Sequence, residues 1–330
     1  MYTEGTAISH NWIMTTTVRK SSDRYSRHEE PTVNRCDADF TSHGTRCAAW
    51  LYRPAAVENP PVVVMAHGFG GERDWRLPAF AERFAARGMA VLLFDYRRFG
   101  DSDGRPRNLI TPKGHVNDWL AAIRHVRTID SVDANRLALW GTSFSGGHVL
   151  AAAARDGDVS ALVMQAPFTD GLRTVIELNR EGGGVEGYLQ KAVGAALRDV
   201  ARKLTRRSPY YVPLVGDPDE FAVLNRPGTR TGFEQLSGGE WDNRCPGRIL
   251  LTVLGYRPIK RADDIDCPAL VVGLDQDNII PSATIDRLVE RLDDVERATY
   301  PFDHWDVYSG DTFEVVVERQ ARFLSDHLLE

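Results

Sequence analysis

Five stretches of the chain are apolar almost from end to end, and each has the length of a strand: 61–66, 89–94, 137–140, 161–164 and 268–273. Continuous apolar runs of this length are expected of strands buried on both faces, as in a parallel sheet. Between them, apolar residues recur at helical spacing. Leu77, Phe80, Ala81, Phe84 and Ala85 mark one helix, and Val116, Trp119, Leu120, Ile123 and Val126 a second. An Ala-rich run over 149–154 marks a third. Strands alternating with helices predict a doubly wound, mostly parallel α/β sheet. Two short strands, 36–40 and 45–52, precede it, joined through Ser42, His43 and Gly44. A helix over 282–292, a strand over 297–300 and a last helix burying Phe313, Val317, Ala321, Leu324 and Leu328 complete it.

The alternation stops at Gly171 and resumes only at Pro268. That span is too long for a loop. It contains a helix over 185–204 and then proline- and glycine-rich chain, so it is expected to be an inserted helical cap. The expected organisation is an α/β core over 36–170 and 265–330, with the cap at 171–264. Residues 1–35 are polar and without periodicity, as in a disordered tail. No apolar segment follows their basic residues, so no secretory signal is expected and a cytoplasmic location is.

Hydrophobic residues are 42% and charged residues 26%, the balance of an ordinary globular domain. A net charge of −6 argues against nucleic acid or an anionic membrane as the main partner. No apolar run is long enough to span a bilayer. The four cysteines, Cys36, Cys47, Cys245 and Cys267, form no C-x-x-C pair, so no metal site is expected. Cys36 and Cys47 flank the first hairpin, and their pairing is left open. The basic residues Arg202, Lys203, Arg206 and Arg207 read as a solvated helix end.

The chemistry gathers where the run 137–140 meets the Ala-rich helix, in Gly141-Thr142-Ser143-Phe144-Ser145-Gly146-Gly147-His148. A serine between a buried strand and a helix N-terminus is a nucleophile elbow. The sharp turn lifts the hydroxyl clear of the sheet, and the helix end offers a backbone N–H to an oxyanion. Ser143 lies closest to the strand and is the favoured nucleophile. Ser145, which replaces the second glycine of G-x-S-x-G, is the alternative.

A serine nucleophile needs a base and an acid that orients it. Of nine histidines, only His148, His304 and His327 follow Ser143. His148 is too near in sequence to reach back, and His327 lies in the last helix. His304 follows the last strand and is the candidate base. The acid is expected after the strand ending at Gly273, where Asp275 and Asp277 stand; Asp277 is favoured, with Asp275 and Asp170 as alternatives. The oxyanion hole is expected from the N–H of Phe144 and that of Phe69, in the loop His67-Gly68-Phe69-Gly70-Gly71. A rival reading of that loop is dinucleotide binding, with Asp95 on the ribose, but Arg73 stands where the third glycine belongs. In the cap, Tyr210, Tyr211, Phe221 and Trp241 are candidate acyl-pocket residues or simple packing.

From Cys36 onward the chain resembles the α/β-hydrolase superfamily. The carriers are His67-Gly68-Phe69-Gly70, the segment from Asp95 to Ser102, the elbow, Asp277 with Pro281, and His304. The segments 140–148, 165–171 and 304–308 look like a subgroup that includes fungal polyketide transferases, uncharacterised microbial esterases and relatives of X-Pro dipeptidyl-peptidases. Ser145 in place of glycine, and Trp305 where phenylalanine often follows the histidine, depart from its pattern. The resemblance implies Ser143, Asp277 and His304 as a catalytic triad.

The expected function is therefore a serine esterase or thioesterase for a small to medium, largely apolar acyl substrate, with no metal or organic cofactor. Its expected partner is that small molecule. An acyltransferase, a peptidase and a non-catalytic binding relative are the alternatives.

Overall fold

The computed structural model describes residues 32–180 and 187–329. The chain enters through strands β1 (Val33–Asp37), β2 (Phe40–Ser42), β3 (Thr45–Cys47), β4 (Ala49–Pro54) and β5 (Pro61–Ala66). Helix α1 (Leu77–Ala86), β6 (Ala90–Phe94), α2 (Pro112–Val126), β7 (Asp133–Thr142), α3 (Phe144–Asp156) and β8 (Ala161–Gln165) then alternate. An insertion follows, with α4 (Gly171–Arg180), α5 (Tyr188–Leu204), β9 (Tyr211–Val212), α6 (Thr229–Ser237), β10 (Cys245–Pro246) and α7 (Ile249–Thr252). The chain ends with β11 (Ala269–Leu274), α8 (Ser282–Val289), β12 (Val295–Tyr300) and α9 (Gly310–Leu328).

Eight strands form one sheet in the order β1-β4-β6-β5-β7-β8-β11-β12. The pairs β1–β4 and β4–β6 are antiparallel, and every pair from β6 to β12 is parallel. Every residue of β5, β6, β8 and β11 is buried, which explains why these strands read as unbroken apolar runs rather than alternating ones. Helices α1 and α9 meet on one face through Phe80 and Phe313, whose rings lie 4.8 Å apart. Helices α2 and α3 pack together on the other.

The first hairpin differs from its expectation. His43 (φ 48°) and Gly44 (φ 76°) make a two-residue turn with both φ values positive, the geometry a tight hairpin needs. The turn joins only β2 and β3. The outer residues peel away, and β1 pairs with β4 in the main sheet, Cys36 opposite Leu51. Cys36 is exposed, Cys47 is buried, and both are free thiols. Strand β1 begins at Val33, inside the stretch expected to be unstructured; the remainder of that expectation, 1–31, lies outside the described residues. Helix α8 stops at Val289, three residues short of its expected end.

The insertion folds down onto the core. In it, Asp199 is fully buried and pairs with Arg248 at 2.6 Å, while Tyr210 N–H donates to the same carboxylate at 3.0 Å. That pair ties α5 to the segment leading into α7. Leu214 packs against Gly70, and α6 presses Gly232 against the ring of Trp305. Both contacts fall on loops at the carboxyl end of the sheet. Among the described residues no helix is long and apolar enough to cross a membrane.

Candidate active site

Strand β7 delivers Ser143 to the carboxyl edge of the sheet, and α3 begins at the next residue. Ser143 has φ 55° and ψ −122°, a strained conformation for a residue with a side chain. Three backbone hydrogen bonds hold it there. Ser143 N–H donates to Gln165 O at 2.8 Å, and Ser143 O accepts from Gly146 at 3.0 Å and Phe168 at 2.9 Å. Strand and helix pass so closely that a Cβ on Gly141 would lie 2.5 Å from the Ser145 carbonyl oxygen. Glycine is required at 141 for that reason. Position 145 carries no such demand: Ser145 is fully buried, and its hydroxyl lies 2.8 Å from Tyr96 OH, which also accepts from Trp119 Nε1 at 2.9 Å.

His304 follows β12 and is almost wholly buried. Its Nδ1 donates to Asp277 Oδ2 at 2.6 Å. The other carboxylate oxygen of Asp277 accepts from the N–H groups of Ile279 and Ile280, each at 2.8 Å. The carboxylate is thus fixed by the turn after β11, and it leaves Nε2 of His304 as the ring nitrogen available for chemistry. Ser143 and His304 line one cavity of about 50 Å³. The two other aspartates are placed elsewhere. Asp170 accepts a two-pronged ion pair from Arg257, at 2.8 Å and 3.0 Å, and caps α4 through Arg173 N–H. Asp275 is exposed.

The loop after β5 closes over the elbow. A Cβ on Gly68 would lie 3.2 Å from Ser143 Cβ. The rings of Phe69 and Phe144 meet edge to face at 5.1 Å, which brings their two backbone segments together beside Ser143. Phe144 opens α3, where the first N–H groups have no carbonyl one turn earlier to bond. Asp95 is buried and ion-paired with Arg73, and it accepts from Arg73 N–H at 2.7 Å and Asp101 N–H at 3.1 Å. Both of its carboxylate oxygens are thus engaged within the loops after β5 and β6. Burial pushes His67 down to about 4 and His148 to about 3, so both rings are neutral. His148 Nδ1 is engaged with Tyr256 OH at 2.5 Å, and His327 lies 3.9 Å from Glu296.

The cavity wall separates the two alternatives left open for the aromatics of the insertion. From the insertion it takes Leu224, Phe233 and Leu236, not Tyr210, Tyr211 or Phe221. Those three pack against Arg198, Arg244 and Tyr188 respectively. Trp241 backs Trp75 and Phe233 at 6.0 Å and 5.2 Å and lines a second, smaller cavity. Trp305 fills the space between His304 and α6, with its ring 5.0 Å from His304 and 5.3 Å from Phe233.

A buried polar network beneath the elbow was not anticipated. Trp140 Nε1 donates to Gln320 at 2.8 Å, Gln320 to Gln165 at 2.7 Å, and Gln165 to Thr142 Oγ1 at 3.1 Å. Thr142 and Tyr308 share a hydrogen bond of 2.6 Å. Burial pushes the Tyr308 hydroxyl up to about 12. The network links Trp140 and Thr142, on the strand that ends at Ser143, to α9 and to the segment after His304. The available signal was Gln320, a polar residue beside Ala321 in the apolar stripe of α9.

The sheet order, the strand–turn–helix at Ser143 and the loops above it define an α/β-hydrolase. Comparison with known proteins agrees. Residues 58–205 match the serine aminopeptidase (S33) family. The quorum-quenching protein AidA of Acinetobacter baumannii is 40% identical over 87% of this chain and 93% of that protein. The polyketide transferase af380 of Aspergillus fumigatus is 29% identical over 90% of this chain and 99% of that protein. The crystal structure of the α/β-hydrolase GrgF from Penicillium superposes with a TM-score of 0.77 at 26% identity, covering 90% of this chain and 100% of that one. The chain belongs to the α/β-hydrolase superfamily, in the subgroup these relatives represent.

Proposed function

We propose that the protein is a serine hydrolase that cleaves carboxylic esters or thioesters of a small to medium, largely apolar acyl group. The observation that carries this reading is the hydrogen bond from His304 to Asp277, at 2.6 Å, in the wall of the cavity that also holds Ser143. Ser143 attacks the acyl carbonyl while Nε2 of His304 takes its proton. Asp277 holds His304 in the tautomer with Nδ1–H and stabilises the imidazolium that forms. The N–H groups of Phe69 and Phe144 bind the tetrahedral oxyanion. His304 then protonates the leaving oxygen or sulfur, and the acyl group remains on Ser143. Water, deprotonated by His304, releases the acid. The sequence of steps uses no cofactor. The insertion acts as a cap that shapes the acyl end of the cavity through Leu224, Phe233 and Leu236.

Similarity to a polyketide transferase supports a second reading, in which an alcohol, amine or thiol replaces water in the second step. Both readings share the acyl-Ser143 intermediate. A fluorophosphonate probe tests what they have in common: it should label the native protein and fail to label Ser143→Ala. Labelling that survives in the variant would place the nucleophile elsewhere.

A further inference from the structure

Glu72 stands in the wall of the same cavity, among Phe69, Trp75, Leu224, Phe233 and Ile279. Most other polar side chains of that wall bond within the fold, while His67 Nε2 and Trp305 Nε1 are buried without a hydrogen-bond partner. His67 bonds the Gly68 carbonyl at 3.0 Å, Thr142 and Tyr308 bond each other, and His304 bonds Asp277. Glu72 forms no ion pair among the described residues, and the nearby Gly100 N–H favours its charged form. With Trp75 it also lines the second, smaller cavity, whose wall carries Asn108, Asp242 and Arg244. Among the described residues of the first cavity's wall it is the one carboxyl, and with Ser143 and the ring nitrogens of His67, His304 and Trp305 it is a polar group the wall can offer a ligand. A few such groups in an apolar wall set orientation and specificity.

Resting on the hydrolase reading above, we propose that Glu72 sets acyl specificity: its carboxyl hydrogen-bonds an oxygen substituent on the acyl chain, so that short oxygen-bearing acyl groups are cleaved in preference to plain alkyl ones. An alkyl chain would desolvate this carboxyl and offer it no hydrogen bond in return, which penalises the wrong substrate more than it rewards the right one.

The protonation state decides which oxygen is recognised. Burial, reinforced by Asp95 and Asp74, pushes Glu72 up to about 7, against the opposing pull of Gly100 N–H and Arg107. Across the two cavities it also shares walls with His67, held neutral by burial, His304, Asp242 and Arg244. Below that value the protonated carboxyl donates to a ketone oxygen. Above it the carboxylate only accepts, so a ketone loses its partner while a hydroxyl keeps one. Preference for a ketone over an alkyl chain is therefore present at acid pH and lost as pH rises through about 7.

The test compares N-acetylcysteamine thioesters of pentanoate, levulinate and β-hydroxypentanoate, with one-carbon homologues of each, at about pH 6 and about pH 8. The ratio of kcat/KM for the keto over the alkyl thioester cancels the titration of the catalytic groups. In the native protein that ratio should fall about tenfold between the two pH values, mostly through KM, while the hydroxy-to-alkyl ratio persists. Glu72→Leu should lower the keto ratio about tenfold at the acid pH and make it independent of pH. Glu72→Gln keeps a donor and should retain the preference at both. A Glu72 that only supports the fold would change all thioesters alike. A native keto ratio that does not move with pH, or a preference intact in Glu72→Leu, overturns the inference while leaving the hydrolase reading in place. If Glu72→Leu does not fold, the native pH profile and Glu72→Gln decide. No turnover of any thioester, together with no fluorophosphonate labelling, overturns the hydrolase reading itself and this inference with it.

Discussion

Ser145 Oγ and Tyr96 OH lie 2.8 Å apart, both fully buried, behind the turn that carries Ser143. The serine that departs from the elbow motif is thereby turned away from the cavity, and Ser143 is the one that lines it. Ser143→Ala should lower kcat by about 10⁴-fold or more. Ser145→Ala should keep activity within about tenfold and cost about 1 kcal/mol of stability, because Tyr96 loses one of its partners. Steady-state kinetics and thermal denaturation of both variants check this. A dead Ser145→Ala beside an active Ser143→Ala would reverse the assignment.

Asp277 and Asp170 should separate in the same way. Asp277→Asn keeps its size but cannot hold His304 in the required tautomer, so kcat should fall about 10⁴-fold in a folded protein. Asp170→Asn weakens the ion pair with Arg257, which is partly solvent-exposed, so its effect should be a stability loss of roughly 1–2 kcal/mol with kcat little changed. Denaturant titration alongside turnover distinguishes the two. Loss of turnover confined to Asp170→Asn would move the acid to the end of β8.

Acid should destabilise the fold through its buried histidines. Burial lowers His67 to about 4, His148 to about 3 and His115 well below its ordinary value. Each is neutral when folded and takes up a proton near pH 6.5 when unfolded. The unfolded chain therefore binds more protons below about pH 6.5, and stability falls as pH drops towards 4, by up to about 1.4 kcal/mol per pH unit for each histidine. His115 stacks on Tyr96 at 4.1 Å, so His115→Phe preserves the ring contact and should remove about one proton from this dependence. Unfolding midpoints in urea between about pH 4 and about pH 7 measure the slope. An unchanged slope in His115→Phe would mean that this imidazole is already protonated in the folded state.

Hydrolysis and transfer part at the second step, where the acyl-Ser143 ester meets water or an acceptor. The cavity wall is mostly apolar, and the residues supplied by the insertion, Leu224, Phe233 and Leu236, offer no hydrogen bond to hold an acceptor in line. Free acid should therefore dominate the products even with millimolar alcohols, amines or a tethered polyketide-like thioester present. Mass spectrometry of the product mixture reads the partition directly. Mostly transferred product at low acceptor concentration would favour the transferase reading and leave the roles of Ser143, His304 and Asp277 untouched.

What the sequence determined by itself is local. Unbroken apolar runs mark β5, β6, β7, β8 and β11, because a strand buried on both faces has no polar position to fill. The order of strands and helices then restricts the topology to a doubly wound sheet. The elbow was legible for the same reason, since a strand end, small residues and a helix start are adjacent in the chain. What only the tertiary structure decided depends on residues far apart in sequence. Three aspartates stand after strand ends, and nothing local separates them; Asp277 meets His304 because β11 and β12 are neighbours in register, while Asp170 is claimed by Arg257, 87 residues away. Ser143 and Ser145 are both small residues on one turn, and Tyr96, from the loop after β6, is what occupies the second. The cavity wall was the least legible part. The aromatic residues of the insertion are equally apolar in sequence, and only packing of α6 onto Trp305 selects Phe233 for the wall and leaves Tyr210 and Tyr211 outside it. Nothing local in the sequence marks Glu72; the loop after β5, folding back over the elbow, places it half-buried in the wall of the cavity that Ser143 lines.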